Sequence, residues 1–133
     1  MTPSDTSSGA PMILVVDDFA DGRELAVDAL THAGFRVAEA ENGIEALEHA
    51  QRLAPALILM DLALPGVDGW EVIRRLRADA RTREIPVVAL TAHALKTQAE
   101  RAREAGCRGF LTKPCSPRML VDEVRRIVGS TAR

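Results

Sequence analysis

The sequence predicts an α/β fold, a single doubly wound domain around a parallel five-stranded sheet, and three observations carry that prediction. Five short apolar runs alternate with five amphipathic segments, the pattern of a parallel sheet with right-handed crossovers. Three of the runs, at 12–16, 56–60 and 85–90, are continuously apolar and β-branched, as strands covered on both faces are. The other two, at 35–40 and 108–111, are charged or short and belong at the edges. The strand order 2-1-3-4-5 satisfies this division, and it is one of the two common doubly wound orders.

Residues 1–10 (MTPSDTSSGA) are small, polar and aperiodic, and are expected to form a disordered leader to a domain over 11–129, with 130–133 a short tail. Met12 to Val16 is the first strand, and it ends in Asp17-Asp18. Leu25, Ala26, Ala29, Leu30 and Ala33 recur at helical spacing, and Gly34 stops that helix. Phe35 to Ala40 alternates in part and suits an edge strand. Asn42-Gly43 turns the chain into a second helix with Ile44, Leu47 and Ala50 at its apolar positions, running down to Pro55.

Ala56 to Met60 leads directly into Asp61, and Pro65-Gly66-Val67-Asp68-Gly69 makes a turn. Asp68 and Glu71 form a capping pair for a third helix that buries Val72, Ile73 and Leu76. Ile85 to Leu90 ends in Thr91, with Pro86 at its start, where a missing donor matters least. An alanine-rich fourth helix through Leu95, Ala99 and Ala102 closes at Gly106. Arg108 to Leu111 runs into Thr112-Lys113-Pro114, whose Lys-Pro peptide can be cis. Ser116 caps a last helix with Pro117 in its first turn, Leu120, Val124, Ile127 and Val128 inward, and Gly129 at its end.

The chain has 133 residues, 47% apolar and 27% charged, the make-up of an ordinary globular domain. Its 17 basic and 19 acidic residues leave a net charge of -2, so no field over the whole chain argues for nucleic acid. No signal peptide is evident and no apolar run approaches the ~18 residues of a membrane span, so a cytoplasmic protein is expected. Cys107 and Cys115 lack CxxC spacing and read as free thiols. Trp70 is expected to pack at the start of its helix, and His32, His49 and His93 to be solvated. Arg74, Arg75, Arg77, Arg81 and Arg83 read as a solvated face or partner patch.

The chemistry concentrates at strand ends. In an open parallel sheet the carboxyl ends of the strands line the ligand crevice, and there stand Asp17, Asp18, Asp61, Thr91 and Lys113. A carboxylate can attack phosphorus to form an acyl phosphate, but two anions repel, so catalysis is mostly neutralisation and positioning. Three carboxylates and one ammonium carry two net negative charges. A single Mg²⁺ (or Mn²⁺) would cancel them, and such ions favour oxygen ligands.

Four segments carry a family resemblance: VVDD at 15–18, LILMDLALPGVDGWE at 57–71, VVALTAHA at 87–94 and GFLTKP at 109–114. The chain resembles the receiver domains of two-component response regulators, bacterial proteins of flavodoxin-like fold. The resemblance implies Asp61 as phosphoacceptor, with Asp18, Asp61 and the backbone carbonyl of Ala63 as direct Mg²⁺ ligands and Asp17 acting through water. It implies Thr91 and Lys113 on the phosphoryl group, and Phe110 as the aromatic that turns inward when Thr91 moves. The expected phosphodonor is a histidine kinase or histidine phosphotransfer protein. Output would pass to a downstream protein through the surface of the fourth helix, fifth strand and fifth helix, with no nucleic acid or membrane involved.

Nothing beyond the last helix is long enough for a DNA-binding module, so a stand-alone receiver of the chemotaxis or cell-cycle kind is expected. Such a protein is no enzyme beyond its own phosphorylation and dephosphorylation. Ala63 offers no polar side chain where many members of the family have one, which with His93 leaves the dephosphorylation rate open, and Leu64 in place of the frequent Met is a mild volume-conserving change. One competing reading is an Asp-nucleophile phosphatase of the haloacid dehalogenase kind, but that chemistry wants an acid at position 63, where alanine stands. The other is an interaction module that keeps the fold without being phosphorylated, which the complete set of five site residues argues against.

Overall fold

The computed structural model describes residues 9–92 and 96–129. In chain order the elements are β1 (Met12–Val16), α1 (Ala20–His32), β2 (Arg36–Ala40), α2 (Gly43–Leu53), β3 (Leu57–Asp61), α3 (Gly69–Ala78), β4 (Val87–Thr91), α4 (Lys96–Glu104), β5 (Gly109–Thr112) and α5 (Pro117–Val128). The strands form one parallel sheet in the order β2-β1-β3-β4-β5, as the distribution of apolar and charged strands requires.

Alternation along the central strands creates two cores. Leu14, Val16, Ile58, Met60, Val87 and Ala89 face α2, α3 and α4, where they meet Ala46, Ala50, Val72, Ile73, Leu76 and Ala102. Ile13, Val15, Leu57, Leu59, Val88 and Leu90 face α1 and α5, against Ala26, Leu30, Leu120 and Val124. β3 and β4 are buried along their whole length, whereas β2 and β5 are only partly covered. Both edges are therefore where charge and brevity placed them.

Three helix starts, those of α2, α3 and α5, are capped by side chains. Asn42 Oδ1 accepts the Glu45 N–H at 2.9 Å, Asp68 Oδ1 accepts that of Glu71 at 2.9 Å, and Ser116 Oγ that of Met119 at 3.1 Å. The Asp68–Glu71 pair is only half a capping box. The Glu71 carboxylate turns instead to Arg74 and Arg75, and their hydrogen bonds hold its pKa down at about 2.

The structure corrects the sequence reading at four residues. Leu25 and Ile44 recur at the apolar spacing of their helices, yet they do not join the buried face and are 56% and 59% exposed. At 100° per residue, Ile44 points away from Ala46, which faces the sheet, and Leu25 lies well round from Leu30. His49 is half-buried rather than solvated, and its Nδ1 is buried without a hydrogen-bond partner among the described residues. Arg77 belongs to no open basic face: its guanidinium donates to the carbonyls of Arg83 (2.7 Å), Ile85 (3.0 Å) and Gly106 (3.0 Å), tying α3 to the chain before β4 and after α4. Leu95 and His93 lie outside the described residues, as do 1–8 of the expected leader. Ala10 is engaged, its carbonyl accepting from Arg36 Nε at 3.0 Å.

Candidate functional site

The sheet ladder itself carries the functional residues to one edge. Beyond β1, the Asp17 N–H donates to Ala40 O (3.1 Å), and beyond β3, the Leu62 N–H donates to Leu90 O (2.9 Å). Beyond β5, the Lys113 N–H donates to Thr91 O at 2.7 Å. Each strand is thus held by its neighbour to the residue where its side chain enters the site. The Lys113–Pro114 peptide is cis.

Asp17 and Asp61 are 3% and 5% exposed, and Asp18 beside them is open to solvent. Their three carboxylates each offer an oxygen within 4.8 Å of the others. Lys113 Nζ bridges the buried pair, 3.2 Å from Asp17 Oδ2 and 3.0 Å from Asp61 Oδ2. The remaining carboxylate oxygens take backbone donors: Phe19 N–H to Asp17 Oδ1 and Ala63 N–H to Asp61 Oδ1, both at 2.9 Å.

Electrostatics follow from this geometry. Burial raises the pKa of Asp17 above 3.8, against the lowering effects of the Phe19 N–H and Lys113, while the charge of Asp61 adds to the rise. Burial pulls Lys113 down, but hydrogen bonds and charge from Asp61 and Asp17 outweigh it and leave its pKa above 10.5. Lys113 is therefore a fixed positive charge at neutral pH. The donor set is all hard oxygen on a net negative pocket, which suits Mg²⁺ or Mn²⁺ and not a softer metal.

Thr91 is buried at the end of β4, and Ala92 beyond it is exposed. The register sets Thr91 opposite Thr112 and Ala89 opposite Phe110. Alternation then puts Thr91 and Phe110 on the same face of the sheet, and Phe110 is half-buried against the core under α2, α3 and α4. All the residues expected at the site are thus at one edge, except Phe110, which lies one strand step below it.

Two glycines shape the pocket without having been singled out in the sequence. A Cβ on Gly69 would stand 2.6 Å from Leu62 Cα and 2.8 Å from Asp61 O, so only glycine lets the start of α3 lie against the turn after Asp61. A Cβ on Gly22 would stand 3.0 Å from Asp17 Oδ2. Both contacts are made within a few residues of chain, but apolar spacing does not mark them, because each depends on how a helix start settles against a strand end. Arg23, in the first turn of α1, donates through Nη1 to Asp17 O at 2.8 Å and through Nε to Glu39 Oε1 at 3.0 Å. Its position one turn beyond the paired carboxylates is the only signal the sequence offered.

Fold and site together define a class: a parallel doubly wound domain with an acidic pocket and a bridging lysine at the carboxyl edge of its central strands. Residues 13–125 match the response regulator receiver domain family. The polar-differentiation response regulator DivK of Brucella anthropi is 37% identical over 117 residues, covering 88% of this chain and 95% of that protein. The chemotaxis protein CheY4 of Vibrio cholerae superposes with a TM-score of 0.84 at 28% identity, covering 89% of this chain and 98% of that one. The receiver domain of the sensor histidine kinase PA1611 from Pseudomonas aeruginosa, solved with a magnesium ion coordinated in its active-site cleft, gives 0.83 at 35% identity, over 91% and 99% of the two chains. The chain belongs to the response regulator receiver family, and so to the signalling proteins of bacterial two-component systems rather than to the classical enzymes. No helix among the described residues is long and apolar enough to cross a membrane.

Proposed function

We propose that the protein is a single-domain response regulator that takes a phosphoryl group onto Asp61 and reports it by protein contact. The observation that carries this reading is the buried Asp61 carboxylate, gripped by Lys113 and the Ala63 N–H within 4.8 Å of two further carboxylates. Three carboxylates gathered around one lysine are costly to keep, and the arrangement makes sense as a site that waits for positive charge and an anion together.

Asp18, Asp61 and the backbone carbonyl of Ala63 would ligate Mg²⁺ or Mn²⁺ directly, with Asp17 acting through water. The cation supplies the charge that lets an anionic nucleophile meet an anionic phosphoryl group. A carboxylate oxygen of Asp61 attacks phosphorus, and the bond from phosphorus to the donor's imidazole nitrogen breaks. The electron pair stays on that nitrogen, and a mixed anhydride remains on Asp61. Lys113 then turns from the two carboxylates to a phosphoryl oxygen, and the Thr91 hydroxyl donates to another.

Drawing Thr91 toward the phosphoryl group frees space on the face it shares with Phe110, which turns inward. The surface of α4, β5 and α5 changes with it. α4 suits this role because it buries only Ala102 and is the most polar of the helices. The donor is a histidine kinase or histidine phosphotransfer protein in the bacterial cytoplasm, and the receiver of the signal is a second protein.

Intact mass after incubation with a small acyl phosphate tests the reading. A single phosphoryl adduct is expected with Mg²⁺ and none after chelation. An unmodified wild-type chain in Mg²⁺ would return the protein to the role of a receiver-shaped interaction module.

A further inference from the structure

We propose that Arg23, held in turn by Glu39, is a positioning residue that sets the Asp17–Asp18 peptide so that both carboxylates face Asp61 and bind a divalent cation. The inference rests on the cation-dependent reading of the pocket given above.

Every polar group of Asp17 is held by a different part of the fold. Its N–H goes to Ala40 O in β2, its Oδ1 to the Phe19 N–H, and its Oδ2 to Lys113. The carbonyl is the remaining group, and Arg23 Nη1 holds it at 2.8 Å. That oxygen belongs to the planar peptide linking Asp17 to Asp18, so fixing it fixes the direction in which the chain presents the exposed Asp18 carboxylate.

Arg23 is itself well placed to act as a bracket. Its N–H is bonded to Phe19 O at 3.0 Å, which locks it into the first turn of α1. Its side chain is 13% exposed, and Nε is paired with Glu39 Oε1 at 3.0 Å. Glu39 stands in β2 opposite Val15, two residues before Asp17. The guanidinium thus joins β1, β2 and α1 through donors fixed in one plane, which an ammonium cannot do.

The choice of acceptor matters as much as the bond. Arg23 places its charge on a carbonyl and on an edge carboxylate outside the pocket. Neither of these bonds takes a carboxylate oxygen of Asp17, Asp18 or Asp61. Bonds of this supporting kind typically change metal affinity by ~10–100-fold when removed.

The test is Mn²⁺ binding to the unphosphorylated full chain, read as free Mn²⁺ by electron paramagnetic resonance, beside the thermal midpoint without metal. Arg23→Ala is expected to weaken Mn²⁺ binding about tenfold, with Arg23→Lys recovering part of the loss. Glu39→Ala, which keeps the arginine but frees it, is expected to weaken binding about two- to threefold, in line with loss of one partly exposed contact. Arg126→Ala is the matched control, since Arg126 also pairs with a carboxylate (Glu123, 2.7 Å) and donates to a carbonyl (Arg108, 3.1 Å), but far from the pocket. It should lower the midpoint without changing Mn²⁺ affinity. Wild-type affinity in Arg23→Ala would overturn the proposal while leaving the pocket's reading intact. If Arg23→Ala does not fold, unchanged affinity in Glu39→Ala overturns it equally. A wild-type chain that binds no Mn²⁺ would overturn both.

Discussion

Removing the ammonium from between two buried carboxylates is the perturbation with the clearest physical consequence. In Lys113→Ala, Asp17 and Asp61, which are 3% and 5% exposed in the intact protein, lose a cation at 3.2 and 3.0 Å. Each contact is worth about 5 kcal/mol of bare attraction at an effective dielectric constant near 20, most of it cancelled by desolvation. Deleting one partner of a fully buried pair costs about 3–5 kcal/mol. The Lys113 side chain is 33% exposed, so solvent screening reduces the expected loss to about 2 kcal/mol.

The pH dependence has a definite sign. Asp17 titrates above 3.8 in the folded protein, so its charge costs stability, and that cost is absent below 3.8 and complete above the folded value. Lys113 titrates above 10.5, so its contribution is complete below 10.5 and is lost as pH rises through its folded value. The penalty of Lys113→Ala should therefore be largest near neutrality and shrink as pH falls through the raised pKa of Asp17, whose carboxylate then takes up a proton. Saturating Mg²⁺ should also shrink it, because the variant pocket is one charge more negative and binds the ion more tightly. Urea unfolding at neutral and acid pH, with and without Mg²⁺, measures all three. A variant as stable as wild type in metal-free neutral buffer, or a penalty independent of pH, would refute the reasoning.

Other perturbations probe the surrounding structure. Gly69→Ala must push α3 away from Leu62 Cα and Asp61 O, and a loss of at least ~1–3 kcal/mol in urea unfolding is expected. Burial raises the Cys107 thiol to about 11, so at pH 8 its alkylation, followed by peptide mass, should be roughly 100-fold slower than that of a thiol of pKa 9, rising about tenfold per pH unit. The single tryptophan, Trp70, lies in α3 with the Arg101 guanidinium of α4 4.1 Å from its ring centroid. Arg101→Ala should alter Trp70 fluorescence in the unphosphorylated protein and cost about 0.5–1 kcal/mol, and an unchanged spectrum would mean that α4 does not report through this contact.

The fold was legible because its signals were local. Continuous apolar runs ending in Asp17, Asp61 and Thr91 placed three strands at the centre, and the charge in Arg36-Val37-Ala38-Glu39 placed another at an edge. The site was legible for the same reason, since its residues occupy strand ends and parallel pairing brings strand ends together. What stayed hidden is made by contacts between one element and another, which the periodicity within an element does not report. Arg77 looked like one charge among five until its three carbonyl acceptors were seen on either side of β4 and α4. The close approach at Gly69 and the bracket of Arg23 with Glu39 likewise depend on how α3 and α1 settle against the sheet. Leu25 and Ile44 show the limit of periodicity, which identifies a helix more securely than the edge of its buried face.

The location of the phosphoryl group tests the central claim most directly. An aspartyl phosphate is a mixed anhydride, and borohydride reduces it to the alcohol, converting the modified aspartate to homoserine. After reaction with an acyl phosphate in Mg²⁺ and reduction, peptide sequencing by mass should find homoserine at position 61 alone, and none in Asp61→Asn. Homoserine at Asp17 or Asp18 instead, or a phosphoryl group in Asp61→Asn that matches wild type, would contradict the account.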